Sequence, residues 1–282
     1  VLQDLGVRVT VVQPDQDGLI SVEVIKRAIT AETVLITVMT ANNEIGVMHP
    51  ISKIGALARS HGIVFHTDAA QALGKVPFVV EDLSVDLASF SAHKIYGPKG
   101  VGALYVRRRA NVPLLPLIDG GGHEQGLRSG TLNVPGIVGF GCAASICQSD
   151  LIDERKRTQM LRDRLLSGLE YRLERIRVNG SLKHRLPNNL NVAFAGLEGE
   201  SLLAGLNDVA VSSGAACTSA NPEASHVLKA IGVPDILARA SLRFGLGRWT
   251  TSEEIDYVVD KVSSLVTRLR ELSSITDDDQ VH

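Results

Sequence analysis

Ser91-Ala92-His93-Lys94-Ile95-Tyr96-Gly97-Pro98-Lys99-Gly100 follows directly on the apolar run Asp86–Ser91, so a lysine stands just beyond a strand among small residues and glycines. Upstream, His66-Thr67-Asp68-Ala69-Ala70-Gln71 follows the apolar run Gly62–His66, and Ala41-Asn42-Asn43-Glu44-Ile45-Gly46 follows Val34–Met39. These short runs are rich in β-branched residues, as expected of strands buried on both faces. Between them the chain predicts helices over Ser21–Ala28, with Ser21 as N-cap, and over Pro50–Arg59. Two further strands are expected at Val7–Val12 and Val101–Val106. Strand, helix and strand with short links predict an α/β fold, a mostly parallel sheet flanked by helices. In such sheets ligands bind beyond the carboxyl ends of the strands, which puts the three polar clusters on one crevice.

Each cluster has a chemical and a plain reading. Burial disfavours an ammonium ion, so a partly desolvated Lys94 suits a Schiff-base lysine, whereas an exposed one is an ordinary turn residue. Asp68 can pair with a protonated pyridine nitrogen or simply cap a helix. Asn43 can bond a ring oxygen or a carboxylate, or serve the turn alone. Three such groups at three strand ends are harder to ascribe to chance than any one of them.

The second half differs in texture. A long amphipathic helix is expected from Asp153 to about Arg175, with Leu161, Leu165, Leu169, Leu173 and Ile176 at helical spacing. Strands are expected at Leu190–Phe194 and Val209–Ser212, a helix near Glu200–Leu206, and a last helix opened by the capping box Thr251-Ser252-Glu253-Glu254. The reading gives two domains, 1–147 and 148–282, the second a smaller α+β domain. Ser212-Ser213-Gly214-Ala215-Ala216-Cys217-Thr218-Ser219-Ala220 places one thiol among small residues, which suits a reactive cysteine on a loop. Cys142 and Cys147 read as inert core residues. Two arginines end a strand at Ser241–Arg248; a guanidinium binds a carboxylate bidentately, and Arg248 is the one expected to pair on the surface.

The 282 residues carry Lys+Arg 29 against Asp+Glu 31, a net charge of −2, which excludes a strongly basic nucleic-acid binder. Three cysteines are too few for a disulfide framework or a zinc cage, so no metal site is expected and a reducing, cytoplasmic setting is. No stretch reaches the ~20 apolar residues of a membrane span. The sequence starts at Val1 and runs straight into the expected strand Val7–Val12, which reads as a start inside a domain with no signal peptide.

Asn43-Glu44-x-Gly46, His66-Thr67-Asp68-Ala69-x-Gln71 and Ser91-x-His93-Lys94 together resemble the pyridoxal-phosphate site of the NifS/IscS-type cysteine desulfurases, fold-type I enzymes related to the class V aminotransferases. The resemblance runs from about Val7 to Leu272 and is specific in its combined motifs. It implies that Lys94 carries the cofactor, that Asp68 meets the pyridine nitrogen, that Gln71 and Asn43 hold the phenolic-oxygen side, and that Ser91 and His93 contact the phosphate. Thr131, in Arg128-Ser129-Gly130-Thr131, would reach the phosphate of the partner subunit in a homodimer; without the resemblance it is a plain glycine loop. Arg243 and Asn43 would hold the carboxylate of L-cysteine, and Cys217 would take its sulfur as a persulfide, releasing L-alanine. A transient iron–sulfur contact at Cys217 is the sole metal contact this implies. Sulfur-acceptor or iron–sulfur scaffold proteins are the implied partners. Selenocysteine lyase, an aminotransferase and a non-catalytic docking scaffold are the alternatives. The family's phosphate loop and ring-stacking histidine have no counterpart in residues 1–282, so the complete protein, rather than this chain alone, is the expected active species.

Overall fold

Alternation of side chains along Val64–Asp68 sets the architecture of the first sheet. Phe65 and Thr67 point into the core and are fully buried, while His66 and Asp68 point to the other face, as the two-residue period of a strand requires. The computed structural model describes residues 3–108, 112, 114–213 and 224–273. In chain order the elements are α1 (Val22–Ala28), β1 (Leu35–Thr37), α2 (Ile51–Ser60), β2 (Val64–Asp68), α3 (Val80–Leu83), β3 (Leu87–Ser91), β4 (Gly102–Val106) and α4 (Val134–Arg172). Then come β5 (Ile176–Val178), β6 (Asn189–Phe194), α5 (Gly199–Ala204), β7 (Ser212–Ser213), α6 (His226–Ala230), α7 (Asp235–Arg239), β8 (Ser241–Gly245) and α8 (Ser252–Leu272).

These elements form two compact units. One takes Ile25–Thr40 and Pro50–Leu151; the other takes Val1–Val24, Ala41–His49 and Ile152–His282. The single boundary expected near residue 147 is therefore replaced by four crossings, because Ala41–His49 packs with the C-terminal residues rather than with its sequence neighbours.

The first unit holds a four-stranded sheet in the order β1-β2-β3-β4. β1, β2 and β3 are parallel and β4 is antiparallel to β3. The register sets Ile36 beside Phe65 and Asp68 beside Ser89. Both expected helices are present: Ser21 Oγ accepts from Val24 N at 3.2 Å at the start of α1, and α2 buries Ile51, Ile54 and Ala58 on one face.

The second unit holds the antiparallel sheet β5-β6-β8-β7. Its core is Leu161, Leu165, Leu169 and Leu173 from α4 and the turn after it, Leu190, Val192 and Phe194 from β6, Leu242 and Phe244 from β8, and Ile255, Val259, Val262 and Val266 from α8. Each such side chain taken fully out of water is worth about 1.5–3 kcal/mol. The capping box of α8 is formed: Thr251 Oγ1 accepts from Glu254 N and Glu254 Oε2 accepts from Thr251 N.

Four sequence expectations change. Val7–Val12 joins no sheet among the described residues, and Val7, Val9 and Val11 are exposed: alternation supplies an apolar face, but a strand also needs a neighbour for its backbone groups. The helix expected from Asp153 begins at Val134 and runs unbroken through the glycine-rich stretch. Each glycine there costs about 1 kcal/mol against alanine, but close approach offsets it: a Cβ on Gly139 would come within 2.7 Å of Pro98 Cγ. Ile176 falls in β5, because the chain leaves the helix after Arg172 and reverses through Arg175 at φ 51. Cys142 is exposed while Cys147 is buried, since five residues turn a helix through about 140° beyond a full turn.

Among the described residues no helix is long and apolar enough to cross a membrane. No group of three or more His, Cys, Asp or Glu side chains that could hold a metal occurs among them either.

Candidate active site

In the parallel-sheet unit, the residues singled out from the sequence gather at the carboxyl ends of two adjacent parallel strands. Asp68 ends β2 and Ser91 ends β3; a one-turn 3-10 helix, Ala92–Ile95, follows Ser91 immediately. Its two apolar residues, Ala92 and Ile95, turn inward and are buried, so His93 and Lys94 face outward. Tyr96, left-handed at φ 66, ends the turn.

Asp68 is exposed, and one carboxylate oxygen accepts from Ala70 N at 2.9 Å. The aspartate thus caps its own turn, which is the plain reading in reduced form, since no helix follows. Its second oxygen has no partner among the described residues. Ser91 Oγ lies 2.8 Å from His93 Nδ1. Lys94 is exposed, which corrects the expected desolvation; its carbonyl accepts from Lys75 Nζ at 3.0 Å, and its own Nζ has no partner among the described residues. Gln71 is half-buried in the turn after β2, and Thr131 is exposed in the loop before α4. Neither side chain is tied to the group by a hydrogen bond among the described residues.

A row of polar side chains crosses this sheet face and was not assigned from the sequence. His66 Nδ1 is 2.7 Å from Thr37 Oγ1 in β1, and His66 Nε2 is 2.7 Å from Ser89 Oγ in β3. Burial pushes the His66 imidazole below the usual histidine range, against the pull of the Asp68 charge two residues on. The period-2 spacing of His66 to Asp68 and Ser89 to Ser91 was the available signal.

The antiparallel-sheet unit holds Asn43 and Arg243 together. Arg243, in β8, donates from Nη1 to the Asn43 carbonyl at 2.8 Å and from Nη2 to Ser212 Oγ in β7 at 3.1 Å. Asn43 lies in a tight turn in which Asn42 Oδ1 accepts from Glu44 N and Ile45 N, and Gly46 takes φ 69. Glu44 is the residue sequence reasoning left without a role. It is only 8% exposed, and its carboxylate accepts from Ser225 Oγ at 2.5 Å. Its carbonyl accepts from Asn189 Nδ2 and Asn191 Nδ2, each at 3.2 Å. Burial pushes the Glu44 carboxyl above the usual carboxylate range, opposed by the Ser225 bond and by the charges of His226 and Arg243. Arg248 does pair, donating to Glu154 Oε2 at 2.7 Å, but the two side chains are only 18% and 14% exposed, so the pair is largely buried rather than on the surface as expected. Cys217 lies outside the described residues.

Residues 1–258 match the family model described as Aminotransferase class-V. The chain belongs to the class-V aminotransferase family. Within that family, the protein named Cysteine desulfurase IscS of Anaeromyxobacter dehalogenans (strain 2CP-C) is 55% identical over 274 residues, which is 97% of this chain and 68% of that protein. Among solved structures, one titled "NIFS-LIKE PROTEIN" superposes with a TM-score of 0.86 at 38% identity, over 95% of this chain and 70% of that one. Another, titled "SspA in complex with cysteine", superposes with a TM-score of 0.75 at 37% identity, over 89% of this chain and 69% of that one. The α/β fold expected from the alternation of strands and helices, and the class-V fold implied by the resemblance, are thus observed, and the chain spans about two thirds of these relatives' length.

Proposed function

We propose that this class-V chain works as a cysteine desulfurase, converting L-cysteine to L-alanine and leaving the sulfur as a persulfide on Cys217. The observation that carries the reading is the convergence, at the ends of β2 and β3, of an acid, a hydroxyl–imidazole pair and an amine without a partner among the described residues, fixed by the register of Asp68 beside Ser89. That donor set fits pyridoxal phosphate, the cofactor of the family: an acid for a ring N–H, an amine for an aldehyde, donors for a phosphate. When bound, the cofactor supplies an electron sink for negative charge developing on the substrate carbons.

The parallel-sheet unit is the cofactor-binding unit in this reading. Asp68 would accept the ring N–H on the oxygen that has no partner among the described residues and would keep that nitrogen protonated. Lys94 would hold the cofactor and, as an amine, would move protons at the substrate carbons. Ser91 and His93 donate to the phosphate, Gln71 and Asn43 hold the phenolic-oxygen side, and Thr131 serves the phosphate of a partner subunit in a homodimer. Arg243 holds the substrate carboxylate with the N–H groups that Asn43 and Ser212 leave open. Cys217 attacks the substrate sulfur as a thiolate: a sulfur–sulfur bond forms, the carbon–sulfur bond breaks, and the electron pair left on carbon takes a proton to give L-alanine. The persulfide then passes its sulfur to an acceptor protein, for iron–sulfur cluster or thio-cofactor synthesis. Free thiol chemistry of this kind suits a reducing compartment such as the cytoplasm.

The test uses the full-length protein with pyridoxal phosphate. Lys94→Ala is expected to lose the visible absorbance of bound cofactor. Cys217→Ala is expected to keep that absorbance and lose persulfide formation. Alanine release by Cys217→Ala at the wild-type rate overturns the role given to that thiol.

A further inference from the structure

Glu44 is a buried acid without an ion pair within 4 Å among the described residues. It is nevertheless flanked by the guanidinium of Arg243 and the imidazole of His226, both of which favour its charged form. Its carboxylate receives the single hydroxyl proton of Ser225, whose oxygen accepts in turn from Val227 N at 3.1 Å and Leu228 N at 3.3 Å and so caps α6. On the other side the turn that carries Glu44 is gripped by Arg243 through the Asn43 carbonyl, and the same guanidinium reaches Ser212 at the end of β7. The Asn43–Glu44 turn thus meets β8, and β7 through it, at the Asn43 carbonyl, and the start of α6 at the Glu44 carboxylate.

Burying an acid costs several kcal/mol unless it is compensated, and a single hydroxyl bond compensates little. Core packing gives no reason for an acid rather than a glutamine here, since Ser225 can donate to either. What an acid alone supplies is charge beside Arg243.

We propose that Glu44 is the counter-charge of Arg243, a positioning residue that limits how tightly the guanidinium grips an anionic ligand. The inference rests on the proposed role of Arg243 as the carboxylate anchor. A guanidinium with three open N–H groups and no opposing charge binds any carboxylate, substrate and product alike; a fixed negative neighbour weakens that grip and lets the product acid leave. Glu44 achieves this without a hydrogen bond to the Arg243 guanidinium among the described residues.

The probe is propionate, a carboxylate with neither amine nor thiol, titrated calorimetrically into the full-length protein. Glu44→Gln keeps the acceptor for Ser225 and removes the charge, and is expected to bind propionate roughly three- to tenfold more tightly, the range for one neighbouring charge at a partly solvated site. Glu44→Met, of similar length, is expected to tighten binding in the same direction, so the outcome does not depend on one variant folding well. Glu44→Asp keeps the charge and is expected to stay at the wild-type value. In steady state with L-cysteine, Glu44→Gln is expected to lower KM while kcat falls through slower release of alanine. Unchanged or weaker propionate binding in both Glu44→Gln and Glu44→Met, with binding lost in Arg243→Gln, overturns the counter-charge and leaves the anchor standing. Propionate binding unchanged in Arg243→Gln overturns the anchor itself, and the inference with it.

Discussion

Replacing Gly46 by alanine tests whether the turn beneath Glu44 is built as described. Gly46 sits at φ 69, where a side chain strains the backbone by about 1–2 kcal/mol. The added Cβ would also meet Asn189, coming within 2.6 Å of Cγ and 2.8 Å of Cβ and closer still to Oδ1. Asn189 cannot stay, and its displacement breaks the bond from its Nδ2 to the Glu44 carbonyl at 3.2 Å and strains the one it accepts from Arg185 Nη1 at 3.4 Å. At about 0.5–1.5 kcal/mol for each bond, the total loss is roughly 2–5 kcal/mol. Gly232 provides the control in the same unit: it has φ 76 but nothing within 4 Å of a built Cβ, so alanine there costs the strain alone. Urea unfolding of both variants reads the difference, and because Asn189→Ala by itself removes the same two bonds, Gly46→Ala is expected to cost less in an Asn189→Ala background than in the wild type. Equal losses in Gly46→Ala and Gly232→Ala would refute the packing of the Asn43–Glu44 turn on Asn189.

Further outcomes follow from charge and burial. Burial holds His49 and His66 below the usual histidine pKa of 6.5, so the unfolded chain takes up protons first; stability is complete above about pH 6.5 and declines as the pH falls from there through the lowered values. Melting temperatures from pH 8 to 5.5 should show that decline, and an unaltered slope in the His49→Gln, His66→Gln double variant would contradict it. Glu44 acts with the opposite sign: its raised pKa makes stability fall as pH rises from 4.5 through that value, so Glu44→Gln should not destabilise the fold at pH 8. Arg248→Ala strands Glu154, whose side chain is 14% exposed, at a cost of about 1–3 kcal/mol. Arg164→Ala breaks the pair with Asp256, where both side chains are about half exposed, and should cost no more than about 1 kcal/mol. Similar losses in the two would show that burial does not govern these pairs.

The parallel sheet was legible because β-branched runs between helix signals have few other solutions: Val34–Met39, Asp86–Ser91 and Val101–Val106 contain the observed β1, β3 and β4, and Gly62–His66 overlaps β2, which runs on to Asp68. The positions of Asp68, Ser91 and Lys94 at strand ends were legible for the same reason, since a polar residue closing an apolar run marks where the strand leaves the core. Val7–Val12 failed because alternation describes one face of a strand and says nothing of its neighbours. The glycine-rich start of α4 failed because propensity is local, whereas the contact of Gly139 with Pro98 joins residues 41 positions apart. Glu44 escaped notice because burial of an acid is decided by Ser225, Asn189 and Asn191, all more than 140 residues away in sequence.

The Ala41–His49 insertion has a consequence for biosynthesis. A ribosome releases these nine residues, with their carbonyls and their lone carboxylate, long before Arg185, Asn191, Ser225 and Arg243 exist to receive them. The segment Ala41–His49 therefore reaches its final contacts only after the C-terminal residues have been translated, and its apolar side chains are open to chaperones until then.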